Sequence, residues 1–377
     1  MTAVVAGGDG LGRDDEGRVT FVPGALPGER VEVLLTEERR DFARGTLERI
    51  DAPSPDRREP PCRFVAAGCG GCGWQHAAPG AQARYKRDLV VDALTRIGRL
   101  ENPNVSDCVA LEPFGYRTTV RVAVDSDGRP AFRMAASHDL VTVDECLVAH
   151  PLINAILKVA HWPGAREAVV RCGARTGETL VDVKPRPAGQ DAPTNFHEEA
   201  GGRRWRISTG SFFQARPDGA DALASLVADA LTAHRVRSVV DLYAGVGLFA
   251  GVLHDRGFDV RLAVEGGRYA AADARVNLDG VCDVAEVDVA RWNGIAVDAV
   301  VADPSRRGLM AEGVATIERC APNVVVLVSC DVAALGRDAK LLTGAGFELR
   351  AATPVDLFTN TPHVETVATF TRSLVRL

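Results

Sequence analysis

Between residues 203 and 377, apolar positions fall into short continuous runs separated by segments of helical period. VRSVVDLY (236–243) and NVVVLVSC (323–330) carry apolar side chains on successive residues, as expected of strands buried on both faces. Comparable stretches at 259–264, 283–288 and 297–302 alternate with amphipathic segments such as 217–234. That alternation predicts a parallel, doubly wound α/β sheet. The last two stretches, 347–352 and 364–371, have no helical pattern between them and are expected to pair as an antiparallel hairpin.

The first fifty residues are patterned differently. Three β-rich stretches at 18–22, 29–36 and 41–50 are separated by Pro23-Gly24 and Pro27-Gly28, which are turn signals. A small barrel of about five strands suits that length. DAPSPDRREPP (51–61) carries four prolines without apolar periodicity and reads as a linker. The helical segment 79–99 then gathers Leu89, Val90, Ala93, Leu94 and Ile97 on one face. Strand-like stretches at 116–124, 130–135, 167–173 and 179–184, with a helix at 151–161, describe an α+β unit. The expected division is therefore 1–52, 53–200 and 201–377.

Composition narrows the class. The chain has 377 residues, 46% hydrophobic and 25% charged, enough for several cores and unlike a disordered chain. The net charge of −6 argues mildly against a polyanion-binding protein, but the charge is unevenly spread. Residues 57–99 hold eight Lys or Arg against three acids, and 203–216 contain Arg203, Arg204, Arg206 and Arg216 with no acid. Such arginines are candidate phosphate contacts. Residues 1–60 hold nine Arg and thirteen Asp or Glu, with Phe21 and Phe42 the only aromatics. No uninterrupted apolar stretch approaches ~18 residues, and the N-terminus lacks a basic-then-apolar leader pattern. A cytoplasmic protein without membrane attachment is expected, and a monomer.

The strand ends carry the chemistry. VVDLYAGVGLFAG (239–251) runs from a strand through Asp241 into the Gly245 and Gly247 turn of a helix, where backbone can approach a ligand. The turn also fits a dinucleotide fingerprint; the acid before it suits a cationic donor better. Glu265 closes the next strand, where a carboxylate can accept ribose hydroxyls. Asp288 and Asp303 close the following two. Cys330 follows the run 324–328, and Glu365 opens the final strand. A thiolate nucleophile with a carboxylate base and a methyl donor suits methylation of pyrimidine C5. Cys62, Cys69, Cys72 and Cys146 offer four thiolates, fit for either a 4Fe–4S cluster or a structural zinc. Cys108, Cys172, Cys282 and Cys320 read as bystanders.

VSCDVAALGRDAKLL and HVETVATF resemble the RNA uracil-C5 methyltransferase family, especially its iron–sulfur-bearing 23S rRNA branch, and the similarity runs nearly end to end. FVPGALPGERV resembles the TRAM domain, an OB-like barrel. The resemblance implies a multi-domain α/β protein with a class I Rossmann-like S-adenosylmethionine methyltransferase sheet and an α+β central domain. It implies Cys330 as nucleophile and Glu365 as base, with Gln214, Tyr243, Gly245, Glu265, Asp303 and Asp288 contacting S-adenosylmethionine. It favours a 4Fe–4S cluster over zinc on Cys62, Cys69, Cys72 and Cys146, and an RNA substrate, 23S rRNA before tRNA. The other readings are a catalytically weak RNA-binding or assembly factor and an Fe–S oxidoreductase. Three departures stand out: Asp331-Val332 replaces the usual Asn-Pro after the nucleophile, Ser305 interrupts a proline pair, and Leu248 replaces a polar residue. Asp331 is of most concern, since a carboxylate beside Cys330 would oppose thiolate formation.

Overall fold

The computed structural model describes residues 1–186 and 194–373. A seven-stranded sheet forms the C-terminal half. Its strands are β1 (Ser238–Leu242), β2 (Asp259–Glu265), β3 (Val284–Glu286), β4 (Ala299–Ala302), β5 (Val324–Ser329), β6 (Phe347–Val355) and β7 (Glu365–Arg372). They lie in the order β3-β2-β1-β4-β5-β7-β6. Pairing is parallel from β3 to β5, while β7 inserts antiparallel between β5 and β6. The expected hairpin therefore forms, and β7, not β6, is the neighbour of the Cys330 strand.

The continuous apolar runs are explained by the two faces of this sheet. Val239, Val301 and Val326 pack into one core with the helix Pro217–Ala233. Val240, Val300 and Val325 pack into the opposite core with Leu335, Ala339 and Leu342 of the helix Val332–Gly344. Successive strand residues point to opposite faces, so both must be apolar.

The N-terminal segments form a five-stranded sheet that includes three expected strands, Val19–Val22, Arg30–Glu38 and Phe42–Ala52. It also uses Ala3–Val4 and Gly10–Arg13, too short and glycine-rich to announce themselves. A second five-stranded antiparallel sheet contains Thr119–Val124, Pro130–Arg133, Leu140–Thr142, Glu167–Cys172 and Thr179–Lys184. The hairpin Asn195–Ala200/Arg203–Ser208 is a further element that the sequence pattern did not suggest.

The proline-rich segment after the first sheet is docked, not free. Arg57 forms an ion pair with the buried Glu29 carboxylate and donates to the Gly24 carbonyl oxygen at 2.6 Å, while Arg58 Nε donates to the Gln75 carbonyl oxygen at 2.9 Å. None of the helices among the described residues is long and apolar enough to cross a membrane.

Candidate active site

A cavity of 660 Å³ opens at the carboxyl ends of β1, β2, β4 and β5, where ligands enter open α/β sheets. Cys330, Glu365, Asp303, Glu265, Tyr243, Gly245 and Gln214 all line it. The structure thus brings seven of the eight proposed catalytic and cofactor residues to one place. Asp288 stands outside this lining. β3 ends two residues before it, and its Oδ1 accepts from the Ala290 N–H at 2.9 Å, capping the short turn Val289–Arg291.

The donor end is shaped by the Gly-rich turn. Tyr243, at the end of β1, has φ +60°, an unusual conformation for a non-glycine residue, and Gly245 follows at +58°. Glu265 Oε2 accepts from the Gly245 N–H at 2.8 Å and Oε1 from the Gly267 N–H at 2.5 Å. The carboxylate therefore fixes both turns at this end of the sheet. Asp241 is fully buried beneath them. One oxygen accepts from the Ala250 N–H at 2.9 Å and the other has no partner. Burial, with Asp303 and Glu265 nearby, pushes its carboxyl up to about 8. Asp241 thus caps a helix from below the cavity instead of lining it.

The reacting end is equally enclosed. Gln214 Nε2 donates to Asp303 Oδ2 at 3.4 Å. Burial raises the Asp303 carboxyl to about 7. Burial and the Asp303 charge raise Glu365 well above the ordinary carboxylate range, against an opposing effect of Arg306. Burial, Glu365 and Asp303 push the Cys330 thiol up to about 12, again opposed by Arg306. The carboxylates that hinder the thiolate are these two. Asp331 instead turns toward the helix that follows. Its side chain accepts from the Ala334 N–H at 2.8 Å and N-caps the helix Val332–Gly344. Asp and Asn are both good N-caps, so the departure from Asn preserves the cap. Val332 occupies the first helical position, where proline is favoured but not required.

The lining also includes residues to which the sequence assigned no catalytic or cofactor role: Arg117, Thr119, Arg171, Phe212, Phe213, Phe358 and His363. The signal for Phe212 and Phe213 was their pairing just before Gln214. Thr119 and Arg171 come from the second sheet and Arg117 from the segment just before its strand Thr119–Val124, and only tertiary structure could place them.

The four clustered cysteines ring a separate cavity of 210 Å³ with Phe64, Gln75, Arg117 and Phe132 among its other walls. Among the described residues, no three His, Cys, Asp or Glu side chains converge tightly enough to hold a single metal ion. Burial pushes the Cys72 thiol up to about 12, with smaller contributions from Cys146, Cys69 and Cys62.

The basic residues expected to meet phosphate are largely committed elsewhere. Arg216 is fully buried, gripping Asp218 at 2.6 Å and stacking its guanidinium 4.3 Å from the centre of the Tyr116 ring. Arg206 pairs with the buried Asp273, Arg203 with Asp255 and Arg204 with Glu178. Lys86 is buried in an ion pair with Asp356. Arg206, Arg216 and Lys86 thus hold segments together, whereas Arg204 remains exposed.

A sheet with this strand order, a glycine turn closed by Glu265 and a cavity at the carboxyl ends define a Rossmann-like methyltransferase. Residues 4–47 match the TRAM domain. The chain is 34% identical to an uncharacterized RNA methyltransferase of Streptomyces coelicolor, over 97% of this chain and 90% of the relative. It is 32% identical to the 23S rRNA (uracil(1939)-C(5))-methyltransferase RlmD of Pectobacterium atrosepticum, over 98% and 93%. The crystal structure of the Pyrococcus abyssi tRNA (uracil-54, C5)-methyltransferase with S-adenosyl-L-homocysteine superposes with a TM-score of 0.74 at 25% identity, covering 96% of this chain and all of that one. The chain belongs to the RNA uracil-C5 methyltransferase family. It is an RNA methyltransferase that uses S-adenosylmethionine.

Proposed function

We propose that the protein methylates C5 of a uridine in 23S rRNA through a covalent adduct at Cys330. The observation that carries this reading is the meeting of Cys330 and Glu365 in the same cavity as Glu265, Tyr243 and Gln214. Cys330 Sγ, once deprotonated, adds to C6 and makes C5 an enolate carbon. C5 takes the methyl group from the sulfonium of S-adenosylmethionine, releasing S-adenosylhomocysteine. Glu365 then accepts the C5 proton, the C6–S bond breaks, and the thiolate is restored. Arg306 favours both ionised groups. Glu265 and Tyr243 would hold the donor, with Gln214 fixing Asp303 beside it. The aromatic Phe212, two-thirds exposed at the cavity, offers a stacking surface to an extruded base.

Cys62, Cys69, Cys72 and Cys146 would hold a 4Fe–4S cluster. Four thiols lining one cavity supply the donor set that such a cluster requires. Bound there, it would serve as a structural clamp between the Cys62–Cys72 segment and Cys146. Anaerobically purified protein should be brown with about four irons per chain; colourless, zinc-loaded protein would reject the cluster.

The substrate is tested by incubating the protein and S-adenosylmethionine separately with unmodified 23S rRNA and tRNA, then mapping 5-methyluridine by mass spectrometry. One or more methylated uridines in 23S rRNA are expected. Methylation confined to tRNA would replace the rRNA reading, and none in either would overturn the function.

A further inference from the structure

The second sheet carries a charged face that no catalytic role has absorbed. Along residues 117–124 the even positions Thr118, Val120, Val122 and Val124 are buried, so Arg117, Thr119 and Arg121 share the opposite face. Arg171 lies directly across from Thr119, and Glu167 across from Ala123. At one end this face meets the active-site cavity through Arg117, Thr119 and Arg171. At the other end it opens into a groove of 890 Å³ lined by Arg121, Arg133, Arg166 and Lys184, with Glu167 the one carboxylate in the lining.

Glu167 is already shared. It pairs with Arg121 at 3.0 Å and with Lys184 at 3.8 Å. Arg133 and Arg166 are exposed and form no ion pair among the described residues. A groove with four cations and one acid is out of character for a chain of net charge −6. Its far wall is the cysteine segment. The Gly70 N–H donates to the Arg133 carbonyl oxygen at 3.0 Å, and a side chain at Gly70 would press within 3.0 Å of the Ala135 backbone. Glycine lets that segment lie flat against the strand and leaves the groove open. At about 3.3 Å per strand residue, Arg117 at the active-site end and Arg121 at the groove stand about 13 Å apart on the same face.

We propose that this groove binds the phosphodiester backbone of the substrate RNA strand that leads to the target uridine, with Arg133 and Arg166 as its phosphate contacts. The inference rests on the RNA methyltransferase reading and adds where the flanking strand runs. Backbone contacts of this kind position a nucleic acid without reading its sequence, and each one removed lowers the salt dependence of binding.

The test uses the full chain and a fluorescein-labelled 20-nucleotide oligouridylate, titrated across salt concentrations. The double variant Arg133→Ser/Arg166→Ser should bind about tenfold more weakly at low salt, with the slope of log K against log[salt] reduced by about 1.4. Its affinity for S-adenosylmethionine and its melting temperature should stay at wild-type values. The control pair Arg261→Ser/Arg350→Ser, exposed on β2 and β6, should leave the slope unchanged. A double variant with the wild-type slope and affinity, or a wild-type chain that does not bind the oligomer, would overturn the groove assignment. Failure of the uridine-methylation assay would instead strike at the function itself, whatever the oligomer binding shows.

Discussion

At the residue scale, the site stores its charge in an uncomfortable form. Cys330 must become a thiolate, yet burial and two carboxylates hold its thiol up to about 12. The ligand-free enzyme should therefore gain activity with pH: kcat/KM for RNA should rise between pH 6.5 and 8.5, and a flat profile would show that Cys330 ionisation does not limit the free enzyme. Stability should move the other way. Asp241 and Asp303 bind protons more tightly folded than unfolded, with carboxyls raised to about 8 and about 7. Their contribution is fully present below the ordinary carboxylate range and is lost as pH rises through 7 to 8. The melting temperature of the ligand-free chain should fall from pH 6.5 to 8, and Asp241→Asn should flatten that fall. Cys330, Asp303 and Glu265 were legible because each follows or closes an apolar strand run, and Glu365 because it opens the last one. Asp288 falls outside the cavity lining because β3 stops at Glu286 and Asp288 caps the turn that follows, yet its charge still reaches Tyr243. Asp241 was read as facing the ligand because a strand-end acid and a helix cap look alike in one dimension.

At the scale of elements, the nucleophile is presented by a strand-to-helix turn that Asp331 secures. Replacing Asp331 by Ala should cost about 1 kcal/mol in urea unfolding, whereas Asp331→Asn should cost only a few tenths. Equal losses would mean that the charge, not the cap, matters. The loop entering β7 is held from outside the catalytic sheet. Asn360, fully buried with φ +69°, donates through its N–H to Gln82 Oε1 at 2.7 Å and through Nδ2 to the Pro113 carbonyl oxygen at 2.9 Å. Its own carbonyl oxygen accepts from the Trp74 N–H at 2.9 Å. Long regular strands were legible by their period; the hairpin Asn195–Ala200/Arg203–Ser208 was not. Glu198 occupies a buried position there, accepting from the Ala174 N–H at 2.7 Å, so the apolar alternation is broken by a polar residue that only tertiary partners satisfy.

At the scale of the whole molecule, the segments are tied together by buried charge. Lys86, on the helix Pro79–Arg96, pairs with Asp356 just past the end of β6 and donates to the Phe358 carbonyl oxygen at 3.0 Å. Lys86→Met would strand the Asp356 carboxylate, and a loss of about 3–5 kcal/mol in unfolding free energy is expected. The overall α/β plan and a small N-terminal β unit were readable from apolar period and turn residues, whereas the TRAM assignment rested on resemblance. The use of the arginines was not, because a basic run in sequence does not reveal which carboxylates fold against it. Arg206 and Arg216 proved to be structural, while Arg133 and Arg166, isolated in sequence, face an open groove. The central claim is the covalent route from Cys330 to uridine C6, and it can be trapped. Glu365→Gln enzyme, incubated with RNA and S-adenosylmethionine, should accumulate a denaturation-stable protein–RNA species. Mass spectrometry should place a methylated uridine on the Cys330 peptide. Absence of that adduct, together with full activity of Cys330→Ala, would contradict the mechanism.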